Sequence, residues 1–296
     1  MQGAPDEGVQ VRGARPGSLG SGANRCAAPA PWGMAGLATL GLVVPVVGLT
    51  LGQALLLPRR FGVPPEWALV DVTVAPSLGS LDDEVPLVEM EAFGDSAMAG
   101  VGVHHLDDFL PVQLAQRVAD ATGRPVHVVG YARSGARTRD VLNQQLPQVH
   151  HKPDVCVLVV GTNDVTGVTS PSRLARSSTA LLDALESLGA PVVMSGLPRF
   201  RSMRSLPHPL MEVVSVYGRV VAAVQRRAVT TRPGVRLVDA AKVVGPEYFN
   251  DVATMSADAF HPSAAGYGRI ADALVPAVVD ALVAGTPTAT SVPQRP

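Results

Sequence analysis

The sequence contains little cysteine, few aromatic residues and almost no net charge. Its 296 residues include 2 Cys, 4% aromatic residues and a formal net charge of −1. Two cysteines cannot support a disulfide framework, and a balanced charge gives no electrostatic footprint for nucleic acid. The stretch from Gly130 to Gly135 lacks the spacing of a dinucleotide-binding loop. We therefore expect no nucleic-acid partner and no cofactor.

The histidines show no recognisable metal-ligand spacing either. Two adjacent pairs, His104-His105 and His150-His151, occur among the 7 histidines. Neither pair is spaced from other Cys, His or carboxylate residues as in a zinc site. The sequence thus predicts no metal site. Cys156 lies in an apolar run, where we expect it to be an inert core residue.

One segment of the chain is strongly hydrophobic. Residues 32–57 are 26 consecutive positions without a charged side chain, whereas about 20 apolar residues suffice to cross a bilayer. No small-residue cleavage site follows before Arg59, which argues against a removable signal peptide. We predict an uncleaved transmembrane helix at 32–57, preceded by a disordered tail at 1–31 and followed by a connector at 58–85.

Basic residues on either side of this segment predict its orientation. Arg12, Arg15 and Arg25 precede it, and Arg59 and Arg60 follow it. The slight excess on the N-terminal side favours a cytoplasmic N-terminus, with the rest of the chain outside the cytoplasm. The richness in Arg, Ala, Val, Gly and Pro is typical of a bacterial protein from a GC-rich genome.

Beyond residue 85, predicted strands and helices alternate. Apolar runs predict five strands, at 87–93, 125–130, 155–160, 191–195 and 235–238. Helical periodicity and capping signals predict helices between them. Strands separated by helices favour a parallel sheet covered on both faces. We therefore predict a three-layer α/β/α, flavodoxin-like domain at 86–284, followed by a disordered tail at 285–296.

Four short segments of this domain carry polar groups suited to acyl transfer. They are Gly94-Asp95-Ser96, Ser134-Gly135-Ala136-Arg137-Thr138, Gly161-Thr162-Asn163-Asp164 and Asp258-Ala259-Phe260-His261. Together they supply a hydroxyl nucleophile, backbone and amide hydrogen-bond donors, and a carboxylate–imidazole pair. The first three segments follow predicted strands, whose carboxyl ends form the ligand-binding edge of a parallel sheet. We expect the four segments to converge at that edge.

In their order and placement, the four segments resemble those of the SGNH hydrolases, the superfamily of GDSL-like esterases and lipases. The signature residues would be Ser96, Gly135, Asn163 and His261, and the resemblance covers residues 86–284. It implies an α/β fold and an esterase activity.

Two positions depart from the pattern of that family. Ala97 stands where the family motif has Leu, which is a packing position. In the strand before Ser96, Glu89 and Glu91 share one face, although a central parallel strand is normally an unbroken apolar run. We expect that face to meet a polar or solvated neighbour.

The residues and the resemblance together predict a catalytic set. Ser96 would be the nucleophile and His261 its base. Asp258 would orient His261, which is the one histidine of this sequence with a carboxylate three residues earlier. The backbone N–H of Ser96, together with Gly135 and Asn163, would form the oxyanion hole.

These inferences predict a membrane-anchored serine hydrolase that cleaves carboxylic esters through an acyl-enzyme. Its substrate would be a small-molecule, lipid or glycan ester. Two alternatives stay open, namely an acyltransferase that uses the same residues and a catalytically inactive, membrane-anchored binding module. The basic loop with Arg199, Arg201 and Arg204 is compatible with an anionic group such as a lipid phosphate, or with simple solvation.

Overall fold

The computed structural model describes residues 69–78, 85–203, 205–248 and 250–285. The predicted transmembrane helix at 32–57, the tail at 1–31 and most of the connector and of the C-terminal tail lie outside these residues. Within the described part of the chain, no helix combines the length and the hydrophobicity needed to cross a membrane.

A six-stranded sheet forms the centre of the domain. Its strands are β1 (Val70–Val74), β2 (Val88–Gly94), β3 (Val126–Gly130), β4 (Val155–Val159), β5 (Val192–Ser195) and β6 (Val235–Val238). Their order across the sheet is β1-β3-β2-β4-β5-β6. β1 runs antiparallel to β3, and the other neighbouring strands are parallel. The sheet is therefore mixed, whereas the sequence predicted five parallel strands.

β1 is the strand that the sequence prediction missed. It lies in the stretch assigned to the connector, and its valines alternate with Asp71 and Thr73. Val70 is buried in the core, and Val72 and Val74 pack against that core. Alternation of this kind is the signature of a strand with one buried face. The prediction relied on continuous apolar runs, which an edge strand with one polar face does not produce.

Helices cover both faces of the sheet. They are α1 (Leu110–Thr122), α2 (Thr138–Asp140), α3 (Thr162–Thr166), α4 (Pro171–Glu186), α5 (Leu210–Val229), α6 (Ala240–Val243) and α7 (Ala264–Gly285). α1 and α7 pack on the face that carries Met90 and Ala92 of β2. α4 and the end of α5 pack on the opposite face, which carries Phe93. The alternation of strands and helices in the sequence is thus reflected in the layers of the fold.

The segment after β3 is helical but irregular. α2 continues into a π-helical segment (Val141–Gln145) and a 3-10 turn (Leu146–Gln148). The sequence predicted a helix between the strands at 125–130 and 155–160. A π-helical segment widens the helix locally and is often found near functional sites. Here it brings the side chain of Gln145 to the end of β2.

The two glutamates of β2 meet the polar neighbours expected from the sequence. Glu91 is fully buried, and its Oε1 lies 2.7 Å from Nε2 of His151. Glu89 is partly exposed, and its Oε2 lies 2.7 Å from Nδ1 of His127 on β3. Polar partners from a neighbouring strand and a loop therefore explain a charged face on a central strand.

Candidate active site

Ser96 lies in the turn that follows β2. Gly94 ends that strand, and glycine is needed there because a Cβ atom would collide with the carbonyl oxygen of Val159 on β4. The N–H of Asp95 donates to the same carbonyl at 3.1 Å. Ser96 is half-buried, and its Oγ lies 3.0 Å from Nε2 of His261. The turn therefore presents the hydroxyl at the carboxyl edge of the sheet, directly beside an imidazole.

His261 reaches Ser96 from the turn that precedes α7. Its Nδ1 lies 2.6 Å from Oδ2 of Asp258, so one ring nitrogen faces a carboxylate and the other a hydroxyl. Phe260 packs edge-on against the imidazole, with ring centroids 5.1 Å apart. Ser96 thus lies within hydrogen-bond distance of His261, and His261 lies within hydrogen-bond distance of Asp258, although Ser96 is far from the other two in the sequence.

Several donors hold the carboxylate of Asp258. Its Oδ1 accepts hydrogen bonds at 2.8 Å from the hydroxyl of Ser256 and from the N–H groups of Phe260 and His261. These bonds close a tight turn in which Ala259 adopts a φ of 55°. Burial alone would raise the pKa of Asp258, but the hydrogen bonds outweigh it and hold this pKa well below its usual range. The carboxylate is therefore ionised at neutral pH and can stabilise a protonated imidazole.

Gly135 and Asn163 lie in the loops after the two strands that flank β2. Gly135 follows β3 and has a φ of 81°, a conformation that glycine adopts without strain. Asn163 lies in the first turn of α3, after β4, and its Nδ2 donates to the carbonyl of Ala136 at 3.1 Å. Because β2 lies between β3 and β4, these loops border the Ser96 turn on either side. The structure thus brings all five predicted site residues to one edge of the sheet.

Asp164 connects the loops that carry Gly135 and Asn163. It is buried, and its Oδ2 accepts hydrogen bonds from the N–H and the hydroxyl of Thr138, at 2.9 and 2.7 Å. The contact fixes the start of α2 against the start of α3. Asp164 therefore positions the neighbouring Asn163 amide. Both of these hydrogen bonds come from Thr138, and neither involves Ser96.

Two buried glutamines complete the ends of the central strands, and the sequence analysis singled out neither of them. Gln145 accepts a hydrogen bond from the N–H of Gly94 at 2.9 Å and donates to its carbonyl at 2.8 Å. Gln225 of α5 donates to the carbonyl of Val160 at 2.9 Å. Backbone groups at strand ends need such partners once the neighbouring strand diverges. The sequence feature that could have indicated either glutamine is a single amide side chain on an otherwise apolar face of a helix.

Asp95 is buried next to the nucleophile. Its Oδ1 accepts a hydrogen bond from the N–H of Ala97 at 3.2 Å, while its Oδ2 has no hydrogen-bond partner among the described residues. Burial raises the pKa of Asp95 to about 6. The ionised form of this side chain is therefore costly in the folded protein.

An apolar cavity of about 100 Å³ opens beside Ser96 and His261. Hydrophobic side chains from several elements line it, among them Val159, Met203, Val244, Tyr248 and Ile270. Arg199 and Arg201 of the predicted basic loop line a different cavity, which neither Ser96 nor His261 borders. Arg204 lies outside the described residues.

A hydroxyl, an imidazole and a carboxylate are linked in this order at the binding edge of an α/β sheet, which is the arrangement found in serine hydrolases. Comparison with known proteins then identifies the family. Residues 92–269 match the model of the GDSL-like lipase/acylhydrolase family, and the chain belongs to that family. The predicted resemblance to the SGNH hydrolases is confirmed, and the protein is a carboxylic ester hydrolase.

A curated relative agrees with this assignment, and two solved structures share the fold. The chain is 30% identical over 251 residues to the GDSL-like esterase Rv1075c of Mycobacterium tuberculosis, a match that covers 83% of this chain and 80% of the relative. Its fold is similar to that of the lipase Lip_vut3 from a goat rumen metagenome, with a TM-score of 0.53 and 18% identity over 64% of this chain and 97% of the other. The family 3 carbohydrate esterase of Clostridium thermocellum has the same TM-score of 0.53 and 18% identity, over 67% and 98%.

Proposed function

We propose that the protein hydrolyses carboxylic esters through an acyl-enzyme on Ser96. Ser96 Oγ attacks the ester carbonyl carbon while His261 Nε2 takes the hydroxyl proton. The ester C–O bond then breaks, His261 returns the proton to the leaving alcohol, and the acyl group stays on Ser96. A water molecule attacks the acyl-enzyme in the same way and releases the carboxylic acid, which restores the Ser96 hydroxyl.

The other members of the site act on charge that develops during these steps. The carbonyl oxygen becomes negative in the tetrahedral intermediate, where the N–H groups of Ser96 and Gly135 and the amide of Asn163 would donate to it. Asp258 keeps its negative charge at neutral pH and would stabilise the imidazolium form of His261. The observation that carries the proposal is the chain of contacts from Ser96 to His261 and from His261 to Asp258.

The cavity supports a proposal about the substrate. Its apolar lining and its position beside Ser96 suit the hydrocarbon part of an acyl group, because the transfer of apolar surface from water into such a cavity is favourable. The family includes lipases, and the structural relatives named above are a lipase and a carbohydrate esterase. We propose acyl esters of lipid or glycan alcohols as the substrate class.

Labelling of the nucleophile tests the mechanism. A fluorophosphonate probe should label the wild-type protein and should fail to label Ser96→Ala. The same substitution should lower kcat for p-nitrophenyl acetate by about 10⁴- to 10⁶-fold. Ser187→Ala, at the exposed end of α4, serves as the matched control and should keep wild-type labelling and turnover. If folded Ser96→Ala, checked by circular dichroism, keeps wild-type turnover, the proposed mechanism is wrong.

A further inference from the structure

A second cluster of imidazole and carboxylate groups lies on the sheet, away from the hydrolytic site. Asp71 of β1, Glu89 and Glu91 of β2 and His127 of β3 share one face, and His151 approaches them from the loop before β4. Glu89 and His127 are paired residues on neighbouring parallel strands. Glu89 lies five strand positions before Gly94, roughly 16 Å of extended chain, and Ser96 follows in the turn beyond the end of β2. The cluster therefore does not take part in the proposed hydrolysis.

The potential ligand atoms of this cluster converge. Oε2 of Glu89 lies 2.7 Å from Nδ1 of His127 and 3.6 Å from Nε2 of His151. The same nitrogen of His151 lies 2.7 Å from Oε1 of Glu91. The ligand atoms of Glu89, His127 and His151 all lie within 4.8 Å of one another. Ligand atoms around one tetrahedral Zn²⁺ are about 3.4 Å apart, so small side-chain rotations would place these atoms around a single ion.

Glu91 adds a buried carboxylate to this cluster. Its side chain is fully buried, and its partners are Nε2 of His151, 2.7 Å from Oε1, and the hydroxyl of Tyr131. A buried carboxylate needs a cationic partner or a metal ion to offset its desolvation. Across residues 69–78, 85–203, 205–248 and 250–285, no lysine or arginine forms an ion pair with Asp71, Glu89 or Glu91. Three carboxylates beside two imidazoles therefore favour a divalent cation.

Asp71 contacts the second ring nitrogen of His127. Its Oδ1 lies 2.9 Å from Nε2 of His127, on the side of the ring opposite to the nitrogen that faces Glu89. Histidines that bind a metal usually donate their second N–H to a carboxylate, which fixes the ring in place. We propose that Glu89, Glu91, His127 and His151 bind one Zn²⁺ ion, with Asp71 as the residue that orients His127.

The donor set favours Zn²⁺ over Ca²⁺ and Mg²⁺. Imidazole nitrogens combined with carboxylate oxygens suit Zn²⁺, whereas Ca²⁺ and Mg²⁺ prefer oxygen ligands throughout. The ion would join β2, β3 and the loop before β4, on the face that the irregular helical segment after α2 covers. It would thus stabilise the fold. The sequence predicted no metal site because these ligands come from separate segments, and their proximity depends on strand pairing.

Metal binding by the full chain tests this proposal. The protein is purified in mild detergent without a histidine tag, stripped with EDTA and dialysed, and then titrated with ZnCl₂ by isothermal titration calorimetry. We expect one Zn²⁺ per chain with a Kd below 1 µM, a higher midpoint of thermal unfolding with Zn²⁺, and no such effect of CaCl₂ or MgCl₂. Turnover of p-nitrophenyl acetate below the unfolding temperature should be equal for the stripped and the loaded protein.

Variants assign the binding to this cluster. His151→Ala and Glu89→Gln should each weaken Zn²⁺ binding at least 100-fold, and Asp71→Asn about 10-fold. His150→Ala changes an adjacent, exposed histidine and should bind Zn²⁺ like the wild type. The proposal is overturned if the stripped protein binds no Zn²⁺ at micromolar concentration. It is equally overturned if folded His151→Ala and Glu89→Gln both bind as tightly as His150→Ala.

Discussion

Asn163 is the site residue whose contribution can be separated from that of the nucleophile and its base. Its amide would donate to the oxyanion, while the contact between Ser96 and His261 does not involve it. Asn163→Ala should therefore lower kcat about 10²- to 10³-fold, or by about 3–4 kcal/mol, with little change in KM. Steady-state kinetics on p-nitrophenyl acetate measures this effect.

The control for Asn163→Ala is Asn143→Ala, which changes an exposed asparagine of the π-helical segment. It should keep wild-type kcat. Fluorophosphonate labelling of Asn163→Ala should be slow but complete, because nucleophile and base are intact. A kcat of Asn163→Ala within threefold of the wild type would show that this amide does not stabilise the oxyanion.

Asp95 makes the stability of the protein depend on pH. Its pKa of about 6 in the folded protein lies above the ordinary value for aspartate, about 3.9. The folded protein thus keeps a proton that the unfolded chain releases, so this group's contribution to stability is fully present below pH 4 and is lost as the pH rises through 6. Asp95→Asn should increase the free energy of unfolding by about 3 kcal/mol at pH 8 and leave it nearly unchanged at pH 4.

Urea unfolding of both proteins at pH 4 and pH 8 measures this difference. The asparagine can keep the acceptor for the N–H of Ala97 and carries no charge. Asp107→Asn, on an exposed 3-10 turn, is the control and should show no comparable gain. Equal stability of the wild type and Asp95→Asn at both pH values would mean that the pKa of Asp95 is not raised in the folded protein.

At the scale of elements, the irregular helical segment after α2 fixes the end of β2. Gln145 of this segment holds the N–H and the carbonyl of Gly94, two residues before the nucleophile. Gln145→Leu leaves the buried N–H of Gly94 unpaired, which should lower the free energy of unfolding by about 1–3 kcal/mol. The Ser96 turn would also lose its support, so kcat should fall at least tenfold while KM changes little.

Gln144→Leu is the matched control, because Gln144 is adjacent and exposed. It should leave both urea unfolding and kcat near the wild-type values. Gln145→Glu is a second variant for comparison, because its carboxylate can still accept the hydrogen bond from the N–H of Gly94. Wild-type stability and kcat in Gln145→Leu would show that the amide does not position the nucleophile.

At the scale of the whole molecule, the long hydrophobic segment at 32–57 predicts where the enzyme acts. We propose that it anchors the chain in a membrane, because it is long, uncharged and lacks a cleavage site. The full chain should stay in the membrane fraction after high-salt and carbonate washes, and a variant that begins at residue 58 should be released. Immunoblotting of both fractions measures the outcome, and a washed-off full chain would contradict the anchor.

The arginines that flank this segment predict its orientation. We propose that the hydrolase domain faces the outside of the cytoplasm. Protease added to intact spheroplasts should then digest the domain, while a cytoplasmic marker protein stays intact. Full protection of the domain in the same sample would reverse the orientation.

The sequence by itself determined the alternation of strands and helices, the five parallel strands and the residues of the four site segments. These features depend on local properties, namely the periodicity of apolar residues and the turn chemistry next to each strand. The boundaries agree closely, as in the strand predicted at 235–238 and observed as Val235–Val238. The family and the esterase class also followed from local motifs, since each motif is a short run of consecutive residues.

Only the tertiary structure decided how distant segments meet. Strand order places β2 between β3 and β4, which brings the loops of Gly135 and Asn163 to either side of Ser96. The roles of Gln145 and Gln225, the added edge strand β1 and the grouping of Glu89, Glu91, His127 and His151 likewise depend on contacts between residues far apart in the chain. Such contacts leave no periodic pattern in a single sequence, because they arise from strand pairing and packing, which decide what each side chain faces.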